Sequence, residues 1–89
     1  MKPIEVLLVE DNPGDTLLTF QAFDQSPTLV KFHLARDGEQ ALLLLRGKTF
    51  EPDLIILDVN LPKLTGFDVL EKYHPNNVPV VVFSSSWNQ

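Results

Sequence analysis

Pro52-Asp53-Leu54-Ile55-Ile56-Leu57-Asp58 is the stretch on which the fold turns. Four consecutive apolar residues stand between an acid on either side, with a proline just before them. A run this short and continuous, bounded by a breaker and a charge, reads as a strand buried on both faces. Such strands belong to sheets with helices above and below, so the flanking chain should alternate short apolar runs with helical patterns. Ile4 to Val9 is a second apolar run, broken only by Glu5, and Val78-Pro79-Val80-Val81-Val82-Phe83 is another. Leu29 to Ala35 alternates instead, with Val30, Phe32 and Leu34 set against Lys31 and His33, as in a strand with one less buried face.

Helical signals fill the gaps. Asn12-Pro13-Gly14-Asp15 offers an N-cap, a proline at the first helical position and an acid in the first turn. Asp15 is read as that first-turn charge. Leu17, Leu18, Phe20, Ala22 and Phe23 are expected to form the apolar side, and Ser26-Pro27 to stop the helix. Asp37 caps a second helix with Gln40 three residues on, as in a capping box. The leucines at 42–45 are expected in its core face, and Arg46-Gly47 at its end. Thr65-Gly66-Phe67-Asp68 opens a third helix carrying Val69, Leu70 and Tyr73. The predicted order is β-α-β-α-β-α-β, which with right-handed crossovers makes a doubly wound parallel sheet.

Composition bounds the function. A chain of 89 residues with 44% hydrophobic content is expected to form one domain, residues 1–89, and to bury a modest core. Zero cysteines exclude a disulfide framework and thiolate metal sites, and fit a reducing compartment. A net charge of −5 argues against nucleic acid as a partner. No apolar run approaches the roughly 20 residues of a membrane helix, and Met1-Lys2-Pro3-Ile4-Glu5 is not a secretory signal. His33 and His74 have no evident partners in sequence and are read as surface residues.

In a doubly wound sheet, chemistry gathers beyond the carboxyl ends of the strands. The first predicted strand ends at Glu10-Asp11, the third at Asp58 and the fourth at Ser84. If the first and third strands are neighbours, three carboxylates share one crevice and raise one another's pKa unless a cation joins them. An oxygen-only ligand set suits Mg²⁺. A carboxylate beside Mg²⁺ can act as a nucleophile toward phosphorus, with Ser84 donating a hydrogen bond to a phosphoryl oxygen.

Val6-Leu7-Leu8-Val9-Glu10-Asp11-Asn12, residues 52–58, Leu61-Pro62-Lys63-Leu64-Thr65-Gly66 and Val78-Pro79-Val80-Val81-Val82-Phe83-Ser84 together resemble the receiver domain of two-component response regulators. The fuller opening, Glu10-Asp11-Asn12-Pro13-Gly14-Asp15, is similar to the single-domain, phytochrome-linked branch. The resemblance implies a flavodoxin-like sheet, a phosphoacceptor at Asp58 and a Mg²⁺ held by Glu10, Asp11, Asp58 and the backbone carbonyl of Asn60. It also implies a switch hydroxyl at Ser84 followed by the small residue Ser85. A histidine kinase, phytochrome-like in this branch, is the implied donor, and the cytoplasm the implied location.

Family members continue through a fourth helix, a fifth strand ending in an active-site lysine, and a fifth helix. Here Lys63 falls on the loop after Asp58 and Lys72 on the third helix, so neither matches that lysine. The expectation is therefore a receiver truncated after its fourth strand, with impaired phosphoryl transfer. Val80, Val81, Val82 and Phe83 would then line an unpaired sheet edge, a template for homo-oligomers. Two further readings stay open: a non-switching oligomeric interaction module on a receiver fold, and a metal-dependent phosphohydrolase with Asp58 as nucleophile.

Overall fold

Val6, Leu7, Leu8 and Val9 are fully buried, so the first strand is covered on both faces as its unbroken apolar run requires. The computed structural model describes residues 2–48, 50–58, 68, 71 and 78–83, with residue 83 in backbone only. In chain order the elements are β1 (Ile4–Val9), α1 (Pro13–Asp24), β2 (Val30–Ala35), α2 (Gly38–Gly47), β3 (Leu54–Asp58) and β4 (Val80–Phe83). Asp68 and Glu71 are helical; the other residues expected to build the third helix, and His74, lie outside the described residues. No helix among the described residues is long and apolar enough to cross a membrane.

The strands form one parallel sheet in the order β2-β1-β3-β4. The chain runs outward from β1 to β2, then returns past β1 to β3. Strand order therefore reverses between β1 and β3, and the crevice at that reversal is where a doubly wound sheet holds ligands. The flavodoxin-like architecture expected from the sequence is the one observed.

Alternation along the strands divides the core between two faces. Leu7, Val9, Ala35, Ile55 and Leu57 pack with Ala41, Leu42 and Leu45 of α2. Val6, Leu8 and Ile56 face the other way, against Phe20 and Phe23 of α1 and Phe32 of β2. Phe32 lies 4.6 Å from the ring of Phe20 and meets Phe23 edge-on at 5.3 Å. Each such large side chain, when fully buried, contributes about 2 kcal/mol.

Two local expectations are corrected, and the end of α2 at Arg46-Gly47 is as expected. Leu17 and Leu18 are 55% and 63% exposed, because Thr16, Phe20 and Phe23, spaced by four and three residues, are the side of α1 that meets the sheet. In α2, Leu42 and Leu45 are buried while Leu43 points to solvent, as a 3.6-residue period demands of a leucine run. Gly47 is still helical, and Lys48 takes the left-handed position after it, at φ 57°. The cap of α2 holds: Asp37 Oδ1 accepts from the Gln40 N–H at 2.8 Å. The return bond from Gln40 Oε1 goes to the Arg36 N–H rather than to Asp37.

Candidate functional site

β1 and β3 lie side by side with Val9 opposite Leu57, so the next residues, Glu10 and Asp58, emerge together at the carboxyl ends of adjacent strands. Glu10 is 1% exposed and Asp58 fully buried, while Asp11 reaches solvent. One carboxylate oxygen from each of the three lies within 4.8 Å of the others. The neighbouring strands assumed at the sequence level are thus present, and they bring Glu10, Asp11 and Asp58 into one cluster.

Glu10 is anchored by its backbone and by one of its two oxygens. Its N–H donates to the Ala35 carbonyl at the end of β2, 2.9 Å away. The Asn12 N–H donates to Glu10 Oε2 at 3.0 Å. Oε1 is buried and, among the described residues, has no hydrogen-bond partner. Burial pushes the Glu10 carboxyl up from 4.5 to about 7; the Asn12 N–H pulls against this, while the charges of Asp58, Asp15 and Asp11 add to it. Among the described residues the buried Glu10 carboxylate, with an open oxygen beside two more carboxylates, lacks a neighbouring positive charge.

That shortage is the test of whether a divalent cation fits. The donors are all carboxylate oxygens, the ligands that Mg²⁺ and Mn²⁺ accept, and an unsatisfied buried lone pair is available among them. The cluster passes on both counts.

The profile of the response regulator receiver domain matches residues 6–89. The chain belongs to this family. Receiver domains of response regulators are modules of two-component signalling, and this one resembles several from widely separated sources. It is 35% identical over 92 residues to the probable methanogenesis regulatory protein FilR2 of Methanothrix harundinacea, covering 94% of this chain and 59% of that protein. Identity to the response regulator Rcp1 of Synechocystis is 34% over 96 residues, covering 98% of this chain and 65% of Rcp1. The chain thus spans about three fifths of the length of these curated relatives. Among solved structures, the phosphorylated cyanobacterial phytochrome response regulator RcpA superposes with a TM-score of 0.84 at 36% identity, over 98% of this chain and 69% of that one. The Mn²⁺-bound form of Rcp1 gives 0.85 at 34% identity, with the same coverage.

Asn60, Ser84 and Ser85, as well as Lys63 and Lys72, lie outside the described residues. The backbone of Phe83, next before Ser84, pairs with Asp58 across the β3–β4 ladder. Sequence reasoning saw Asn12 only as a helix cap and missed its grip on Glu10. The one available signal was a residue with a free N–H placed two positions beyond a buried acid. It also missed the partners of His33, whose Nε2 pairs with Glu5 Oε1 at 2.8 Å and whose ring stacks on Phe50 at 3.7 Å.

Proposed function

We propose that this receiver accepts a phosphoryl group on Asp58 from the phosphohistidine of a histidine kinase, with a divalent cation, Mg²⁺ in the cell, held by Glu10, Asp11 and Asp58. The observation that carries this reading is the open, buried Oε1 of Glu10 within a cluster of three carboxylates from two adjacent strand ends. The phosphorylated state of RcpA and the Mn²⁺-bound state of Rcp1 support it by kinship. The backbone carbonyl of Asn60 would complete the protein's ligands, and Ser84, followed by Ser85, would meet the phosphoryl oxygens. RcpA is a phytochrome response regulator, which makes a phytochrome-like kinase in the cytoplasm the first donor to try.

The residues of this chain divide the work. An Asp58 oxygen attacks phosphorus; the P–O bond forms as the P–N bond to the imidazole breaks, and the ring nitrogen keeps that electron pair. The β3–β4 ladder includes Asp58 and the β1–β3 ladder ends at Leu57 just before it, which holds the Asp58 backbone for in-line attack. Glu10 and Asp11 supply the negative charge that retains the cation. When bound, that cation offsets the charge of the carboxylates and of the phosphoryl oxygens.

Acetyl phosphate with Mg²⁺, followed by intact mass, tests the proposal. A gain of one phosphoryl group that disappears in Asp58→Asn is expected. No gain, with Mg²⁺ still bound, would favour a non-switching interaction module. Turnover of a phosphate ester that is lost in the same variant would instead favour a phosphohydrolase.

We also propose self-association through β4. Among the described residues β4 is paired on one side, with β3, while Val81 is 51% and Val82 38% exposed. An apolar strand of this kind, with Val80 and Phe83 at its ends, is a template for a second copy. A stable monomer by light scattering at high micromolar concentration would sink this part.

A further inference from the structure

Between the buried end of β1 and the first turn of α1 the chain has little freedom. Val9 closes the strand and the Glu10 N–H is bound to Ala35. Asn12 is the next fixed point. Its carbonyl accepts from both the Thr16 N–H and Thr16 Oγ1, each at 3.0 Å, and its Oδ1 accepts from the Asp15 N–H at 3.0 Å. Thr16 is itself buried, so these bonds tie Asn12 to the inward side of α1. A residue held at three points has a fixed N–H direction, and that N–H lands on Glu10 Oε2 at 3.0 Å.

We propose that Asn12 is a positioning residue for the cation: by clamping the entry of α1 it fixes Glu10 Oε2 and so leaves Glu10 Oε1, buried and unpartnered, as the oxygen offered to the ion. This rests on the metal reading above and assigns a device to it. The chemistry requires one oxygen held and one open. With both oxygens satisfied by the protein, Glu10 would gain little from a cation; with neither, its carboxylate would have several orientations to lose on binding. Asp11 stands between the two anchors, so the same clamp sets where its backbone leaves the strand.

Gly14 belongs to the same device. A Cβ at position 14 would meet Asn12 Oδ1 at 3.2 Å, closer than ordinary contact, so the cap is packed against a residue without a side chain. Any side chain there must push the amide that holds the helix entry. Asn12 and Gly14 are thus linked by contact as well as by sequence.

The test is Mn²⁺ titration by calorimetry on the whole chain, with thermal unfolding of each protein recorded in chelator. Asn12→Ala is expected to weaken Mn²⁺ binding about tenfold while the protein remains folded at the titration temperature. Asn12→Ser, which restores a capping oxygen, should return affinity to within about threefold of the parent. Gly14→Ala keeps the asparagine and should weaken binding about threefold, through displacement of its amide. A residue that only caps a helix would lower the melting temperature and leave affinity alone. Parent affinity in both folded Asn12→Ala and Gly14→Ala, or a serine variant as weak as the alanine one, overturns the proposal. Absence of Mn²⁺ binding in the parent chain would overturn the metal reading itself, and this inference with it.

Discussion

At the ends where the strands begin, Glu5 Oε1 meets His33 Nε2 at 2.8 Å, and Asp53 Oδ2 accepts from the Glu5 N–H at 2.9 Å. The Asp53 N–H in turn donates to the Glu5 carbonyl at 2.7 Å, so the pair closes a ring between β1 and the entry to β3. At the ends where the same strands finish, Glu10 is more deeply buried yet keeps one oxygen without a partner, beside Asp11 and Asp58. Burial alone would lead one to expect the opposite, since an unmet polar atom costs more the further it is from water. Glu5 and Asp53, nearer the solvent, each spend an oxygen on the fold, whereas the buried Glu10 keeps one of its two oxygens open. An unmet buried carboxyl oxygen at the switch in strand order is what the cation site proposed above requires.

The sharpest way to break this contrast is to neutralise the open carboxylate. Glu10→Gln should weaken Mn²⁺ binding about 100-fold, equivalent to about 3 kcal/mol, as read by calorimetry. It should do so without lowering the stability of the metal-free protein at neutral pH, because the charge it removes is one the fold disfavours. A variant that loses both affinity and stability would show that Glu10 is a structural acid like Glu5.

The pH dependence of the metal-free protein follows from the same residue. Glu10 carries a folded-state pKa of about 7 against 4.5 in the open chain, so between these values the native state binds more protons than the unfolded one. Its contribution is therefore fully present below about pH 4.5 and is lost as pH rises through 7. Subtracting the denaturation curve of Glu10→Gln from that of the parent isolates this group. The difference should fall by on the order of 2 kcal/mol from pH 4.5 to 8, and saturating Mg²⁺ should flatten it. A difference that rises with pH would contradict the burial assigned to Glu10.

The histidine at the opposite end provides the structural counterpart. His33→Ala removes the bond to Glu5 and the ring stacked on Phe50. Thermal or urea unfolding should show a loss of about 1.5 kcal/mol, with Mn²⁺ affinity unchanged.

How far all this could be read from sequence differs between the two ends. Strands β1 and β3 declare themselves through unbroken apolar runs that only a doubly covered sheet can hide. The caps Asn12 and Asp37 follow from their residue types and spacing, and the clustering of Glu10, Asp11 and Asp58 follows once β1 and β3 are neighbours. What was not legible depends on register or on backbone direction. His33 finds Glu5 diagonally, because β1 and β2 pair Glu5 with Lys31 and Leu7 with His33, and no one-dimensional pattern contains that offset. The Asn12 N–H aimed at Glu10 is a property of the peptide direction, invisible in a side-chain code. In α1 the apolar residues are spread around the axis, so periodicity could not show that Phe20 and Phe23 turn inward while Leu17 and Leu18 do not.

The smallest expected effect is the most discriminating about mechanism. Glu5→Gln keeps an acceptor oxygen opposite His33 and removes one negative charge, at a cost of about 0.5 kcal/mol in urea unfolding. If Mn²⁺ binding depended on the overall acidity of the chain, with its net charge of −5, this change would weaken it measurably. If it depends on the local cluster, it should not. Glu5 and Glu10 stand five residues apart along one extended strand, roughly 17 Å at about 3.3 Å per residue. The screening length at physiological salt is about 8 Å, so the charge of Glu5 is largely hidden from the cluster. Affinity should therefore stay within about twofold of the parent at 0.15 M salt. A larger loss, growing as salt is lowered, would mean that the site draws its cation through the field of the whole sheet rather than through the open oxygen of Glu10.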